Sequence, residues 1–254
     1  YLKQAVGAGA GLVTGARVER VVVESTGPMP GRVTGVLARR RGWQEFFPAD
    51  LVILAAGGLG TPAILERSGI HTEDRLFVDP VLCIAAPSPE SHQDREIPMP
   101  FVVSRDEYII SPYFDYLSFF FNRAWLRPRQ NIAALMIKLA DTESGTVDAR
   151  SVRKGLTAKD NRVLTEAVEL CTEILEKVGM RRQQMFRGTL NAGHPGGTLP
   201  LTGEERELLH ADRLPENLYV ADASLLPRSL GRPPMLTIMA LAWRVAALCR
   251  ERFV

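Results

Sequence analysis

Residues 51–69, LVILAAGGLGTPAILERSG, constrain this chain more than any other stretch. The run LVILAAG is apolar without alternation, which predicts a buried strand. It ends in Gly57-Gly58, and a helix is predicted behind it. Thr61 is placed to cap that helix, Pro62 suits its first position and Gly69 ends it. A strand, a glycine turn and a helix in that order form the usual geometry for holding a nucleotide or cofactor at the carboxyl end of a strand.

The flanking segments extend this reading. Residues 12–24, LVTGARVERVVVE, and 32–41, RVTGVLARRR, are valine-rich and partly alternating. With the turn STGPMPG between them they predict a hairpin. The glycine-rich AVGAGAGLVTG at 5–15 precedes a strand and spells GxGxG, so it reads as a flexible turn. Residues 76–140 change character. The segments 76–87, 101–112, 113–126 and 132–141 are strand-like and punctuated by Pro, Ser, Asp and Asn, which predicts a mostly antiparallel sheet. Residues 157–179 predict a long helix with a Thr157/Asp160 capping box, one apolar face from Leu164 to Val178, and a stop at Gly179. A short strand at 217–223 precedes the turn SLLPRSLGRPP and a last helix from about Pro234 to Arg252. The fold class expected is α/β with an α+β insert. Residues 1–75 and 190–254 form one unit and 76–189 a second.

Bulk properties exclude several classes. The 254 residues are 46% hydrophobic and 24% charged, which suits one or two globular domains. A net charge of +2 gives no field for nucleic acid, and Arg39-Arg40-Arg41 reads as a solvated hairpin edge. No apolar run approaches the ~20 residues of a transmembrane segment. No secretory signal is visible. The chain opens on Tyr1, so location stays open. Cys83, Cys171 and Cys249 are far apart and form no CxxC, which predicts reduced, buried thiols.

His194 in AGHPGGTLPL is the first candidate for chemistry. Its near-neutral pKa suits acceptance of an alcohol proton, and the glycines after it let backbone approach closely. Alone in a loop it is more often an ordinary histidine.

Together, LVILAAGGLGTPAILERSGI, HPGGT, ENLYVADASLLP and PPMLTIMALAW resemble the glucose–methanol–choline (GMC) flavoprotein oxidoreductases, in the family's order and at similar spacing. The tail is similar to the cholesterol oxidase and pyranose oxidase type. The resemblance covers most of 12–70 and 190–250. It implies an FAD-binding Rossmann-like domain, present in part, and an antiparallel substrate domain roofing the flavin. It implies an alcohol or sugar substrate whose CH–OH group loses a hydride to FAD, with His194 as general base and a dehydrogenase favoured over an oxidase. FAD contacts are implied at Val18, Ala55, Ala56, Gly57, Asp222, Ala223, Pro234 and Met235. The last helix would face the flavin pyrimidine edge with its positive N-terminus.

The chain departs from the family at one catalytic position. Pro233 stands where the family has Asn or His, and proline offers no donor. Arg232 replaces that function, or His194 acts alone, or the member is degenerate. The GxGxxG fingerprint is absent, so a second polypeptide or a missing N-terminal half is expected to carry the ADP site and to cover the apolar faces of 1–70 and 190–254. Aromatics at 113–125 suit an apolar alcohol or a sugar face, though most are expected to pack in the core. Two rival readings remain: a non-redox relative such as a lyase, and a scaffold subunit for a flavin-bearing partner. An NAD-dependent dehydrogenase is disfavoured.

Overall fold

The computed structural model describes residues 1–24 and 31–253. Most of the turn between the first two strands lies outside them. Residues Leu2–Gly7 form a short exposed helix, α1, and the remaining glycine-rich residues run as a loop into β1. Strands β1 (Ala16–Glu24), β2 (Arg32–Arg40) and β3 (Trp43–Pro48) form an antiparallel meander. Arg41 and Gly42 turn β2 into β3 with φ of 50° and 89°, the primed-turn conformation that matches strand twist. Arg39 pairs with Glu19 and Arg40 with Glu45, so the arginine run is the solvated edge expected of it. Strand β3 is not among the strands that the sequence predicts. Nearly all of its side chains are exposed, so it carries no buried face for periodicity to report.

Strand β4 (Val52–Leu54) pairs in parallel with β13 (Leu218–Val220), Val52 opposite Leu218 and Leu54 opposite Val220. This pairing joins the first and third stretches of the chain. Ile53 is 41% exposed, so β4 is covered on one face rather than wholly buried. Helix α2 (Gly57–Arg67) starts at the glycine pair with Ala56 as N-cap, earlier than the sequence suggested. Thr61 and Pro62 therefore lie inside it. A local reading places the cap at Thr61 because the true anchor of the helix end, Asp222, comes from far along the chain.

The second sheet is antiparallel, in the order β11-β5-β8-β7-β6, with β12 also on β5. Its strands are β5 (Pro80–Pro87), β6 (Val103–Ser104), β7 (Tyr108–Pro112), β8 (Ile132–Leu139), β11 (Phe186–Arg187) and β12 (Asn191–Ala192). Helix α4 (Ala158–Lys177) covers one face, burying Ala167, Cys171 and Leu175 against Leu82, Ile110 and Ile137. Both halves of the Thr157/Asp160 capping box are formed. Phe114, Trp125, Ala134 and Met136 pack on the other face.

Residues 113–126 are not a strand. They fold as helix α3 (Tyr116–Phe121) and a 3-10 turn at Arg123–Trp125. Asp115 caps α3 by accepting from the Ser118 N–H, and that local cap outweighs the β-leaning aromatics around it. Phe114 and Trp125 are core, while Phe120 and Phe121 are exposed. The stretch 101–112 is likewise two short strands with a turn between.

A small hairpin, β9 (Thr146–Val147) with β10 (Val152–Arg153), and a single turn of helix, α5 (Glu205–Leu208), complete the connections. Helix α6 (Met235–Phe253) buries Val245 and Cys249 against Tyr219. It leaves Met235, Leu236 and Trp243 largely exposed. The three cysteines are free and buried, and burial pushes the Cys171 thiol up to about 12. Among the described residues no helix is long and apolar enough to cross a membrane.

Candidate active site

Three separate stretches meet at the carboxyl end of β4. Gly58, near the start of α2, lies flush against the loop that carries His194. A Cβ there would overlap the Pro195 carbonyl. Gly196 bridges to Phe77, and the Gly197 N–H donates to the Ala223 carbonyl at 3.1 Å. The Leu199 N–H donates to the Ser224 carbonyl at 2.9 Å. Motifs near 57, 195 and 223 are therefore parts of one junction. Glycine is needed at 58 because backbone runs against backbone there.

Asp222 pins this junction from below. One carboxylate oxygen accepts from the Gly57 N–H at 2.9 Å and the Thr61 hydroxyl at 2.5 Å, and the other accepts from the Ser224 N–H at 2.8 Å. A carboxylate at a helix N-terminus satisfies donors that have no intrahelical partner and sits favourably in the helix dipole. The side chain is buried and fully engaged. It holds the fold of the expected cofactor edge.

The cofactor residues expected from sequence divide into two groups. Val18 and Ala56 line one open, shallow groove between β1 and α2, with Leu59, Gly60 and Ala63. Ala55 is exposed at the strand end, Gly57 half-buried and Ala223 buried. Pro234 is buried just before α6, while Met235 opens the helix at the surface, 68% exposed rather than packed in a core. Ala223 nevertheless clusters with Phe77 and Leu226, against which Ile238 of α6 packs. The start of α6 thus lies over the same junction.

His194 sits at the edge of that junction with its side chain 40% exposed. Behind it is a buried polar group that sequence reasoning missed. Lys138, on β8, places Nζ 2.8 Å from His194 Nδ1 and 2.8 Å from Asp79 Oδ2. The other oxygen of Asp79 accepts from the Ser229 hydroxyl and, at 3.3 Å, from the Gly231 N–H. Asp141 accepts from the Val78 and Asp79 N–H groups and pairs with Lys154 at 2.8 Å. Lys138 is 2% exposed and Asp79 fully buried. Burial pushes the His194 pKa below its ordinary value, the Lys138 charge adds to that, and Asp79 opposes both. Burial also pushes Lys138 down, with Asp79 opposing through charge and hydrogen bond and Asp141 adding at longer range. One signal was available: a lysine inside the apolar strand IAALMIKLAD needs a buried partner.

Arg232 does not join His194 among the described residues. Its guanidinium donates to Ser104 Oγ at 2.7 Å, on the edge strand of the large sheet. Pro233 follows it at the surface. What the turn contributes to the His194 network is Ser229 and the Gly231 N–H, not the side chains of Arg232 and Pro233.

The GMC oxidoreductase family profile matches residues 1–85. A GMC-type oxidoreductase of Mycobacterium tuberculosis is 32% identical over 300 aligned positions, covering 96% of this chain and 46% of its own length. A protein of Methanocaldococcus jannaschii with no described activity is 28% identical over 199 residues, covering 76% of this chain and 51% of its own. The chain therefore spans about half the length of the curated relatives it matches. Among solved structures, the fold is similar to pyridoxine 4-oxidase from Mesorbium loti, with a TM-score of 0.68, 18% identity, and 96% of this chain and 59% of that one covered. It is also similar to a formate oxidase variant from Aspergillus oryzae RIB40, with a TM-score of 0.70, 14% identity, and 93% and 60% covered. This chain belongs to the GMC oxidoreductase family of flavoproteins.

Proposed function

We propose that this chain is the C-terminal portion of an FAD-dependent oxidoreductase that oxidises the CH–OH group of an alcohol or sugar, with His194 at the reacting hydroxyl. The observation that carries the reading is the junction itself. A half-exposed imidazole, its pKa pushed below the ordinary value by burial, stands where the strand–turn–helix, the HPGGT loop and the start of α6 converge.

The residues present fit part of the cofactor. The groove beside Val18 and Ala56 is shallow and largely apolar, which suits a flat aromatic ring. Ala55, exposed just past the end of β4, offers main chain to it. The N-terminus of α2 does not suit a phosphate, because Asp222 already fills it with negative charge. No described residues form GxGxxG, so we assign the phosphate cradle to a second polypeptide or an N-terminal half that would also cover Leu236 and Trp243. A flavin held here supplies a two-electron acceptor. The protein's own part is to bind the hydroxyl at His194, orient its C–H bond and take its proton at the outer ring nitrogen, Nε2.

The test is an anaerobic absorption spectrum of the protein with every copurifying chain, before and after a panel of alcohols and sugars. Flavin bands that bleach with one class support the reading and narrow the substrate. His194→Ala should slow that bleaching roughly 10²–10⁴-fold. Flavin that never bleaches turns the assignment toward a non-redox relative, and a sample without flavin turns it toward a scaffold.

A further inference from the structure

Lys138 interrupts an otherwise apolar strand, so its burial needs a reason beyond packing. An ammonium has N–H donors and no lone pair, and a neutral imidazole has one donor nitrogen and one acceptor nitrogen. The charge on Lys138 therefore decides which ring nitrogen of His194 carries hydrogen. We propose that Lys138 positions the proton on His194. As an ammonium it donates to Nδ1 and fixes the Nε2–H tautomer, which can only donate to a ligand oxygen. As a neutral amine it accepts from Nδ1–H and frees Nε2 as a base.

The surroundings favour the ammonium in the resting protein. Asp79 faces it from the loop before β5, with its second oxygen filled by Ser229 and Gly231. Asp141 stands beyond it, paired with Lys154, and Glu143 accepts from the Ser229 N–H at 3.2 Å. His194 is the remaining titratable group in contact. Burial works the other way and brings loss of the proton nearer to neutral pH.

The proton balance in the proposed reaction follows. The substrate O–H bond breaks and its proton goes to Nε2. The proton on Nδ1 passes to the Lys138 amine, which becomes an ammonium, and the hydrogen of the C–H bond would leave together with its electron pair, as hydride, to the flavin assumed above. Alcohol oxidation should then rise with pH as Lys138 loses its proton, not as His194 does. Bound aldehyde or ketone is instead held by Nε2–H when Lys138 is charged.

The test reads the protein without any flavin turnover. Nitrogen-15 NMR of the histidine rings, with His194 assigned through His194→Gln, is followed from about pH 6 to about pH 10. The expected result is protonated Nε2 and bare Nδ1 near neutrality, crossing to the reverse as pH rises. In Lys138→Met the crossing disappears. Should that variant fail to fold, Asp79→Asn with Lys138→Met removes both charges and gives the same readout. Protonated Nδ1 near neutrality, a tautomer that never crosses, or a crossing that survives loss of Lys138 would each overturn the proposal. These outcomes do not depend on the alcohol panel, so either reading can fail alone.

Discussion

Asp222 and Asp79 flank the same loop, and both are buried at the ends of elements that the His194 loop touches. Asp222 accepts from two backbone N–H groups and a hydroxyl. Asp79 accepts from a hydroxyl, a backbone N–H and the ammonium of Lys138. The difference lies in the donors. Those of Asp222 cannot release a proton in any ordinary pH range, so that carboxylate is a clamp. Lys138 can release one, and it also touches His194. A buried carboxylate near a reaction centre therefore says little by itself. What its partner can give away says more.

The comparison is broken most directly by removing one partner. Lys138→Met leaves Asp79 buried with its charge unmatched and should cost about 3–5 kcal/mol of stability. Adding Asp79→Asn to it should recover most of that loss, read as the denaturation midpoint in urea. Asp222→Ala strands the Gly57 and Ser224 N–H groups and should cost about 3 kcal/mol. It should leave the His194 tautomer as it is in the unaltered protein. A shift in tautomer with Asp222→Ala would erase the distinction between clamp and relay.

How much of this was legible in the sequence follows the same division. Val52–Leu54, the last helix and the capping box at Thr157 announce themselves because apolar runs and caps are local. The start of α2 was misplaced by residues because its anchor lies across 165 positions of chain. The helix at 116–121 was hidden by aromatic composition, which leans toward strand while a single Asp115 decides for helix. His194 was legible through its motif. Lys138 and Asp79 were not, because their meaning comes from a 59-residue contact between two strands' neighbourhoods. A lone lysine in an apolar strand flags a partner without naming it.

Smaller effects sharpen the picture. Gly58→Ala puts a methyl group into the Pro195 carbonyl and should cost about 1–3 kcal/mol while moving the His194 ring signals. Gly155→Ala, where a Cβ meets nothing within 4 Å, should disturb neither the ring nor the loop. Acid supplies a further contrast. His194 has a folded pKa below the unfolded value of about 6.5, so the unfolded chain takes up its proton first. The ring therefore makes no stability demand above that value and lowers stability as pH falls through it. His194→Ala should flatten that limb of a melting-temperature profile, whereas Asp222→Asn should shift the whole profile without changing its slope there.

Arg232 gives the smallest expected effect and the sharpest check on the family expectation. If its guanidinium replaced the missing Asn or His, Arg232→Ala would cut the alcohol-dependent rate as a reacting-centre residue does. The guanidinium instead donates to the exposed Ser104 hydroxyl, and the turn reaches the His194 network through Ser229 and Gly231. Removing an exposed hydrogen bond should change stability by no more than about 0.5 kcal/mol. The bleaching rate should stay within about twofold of the unaltered protein, a difference of roughly 0.4 kcal/mol in barrier. Ser229→Ala, by contrast, removes a donor from Asp79 and should alter the pH at which the His194 tautomer crosses. A rate lost with Arg232→Ala but kept with Ser229→Ala would mean that the arginine leaves Ser104 to reach the substrate, and that the departure at Pro233 is repaired by its neighbour rather than by the lysine behind the histidine.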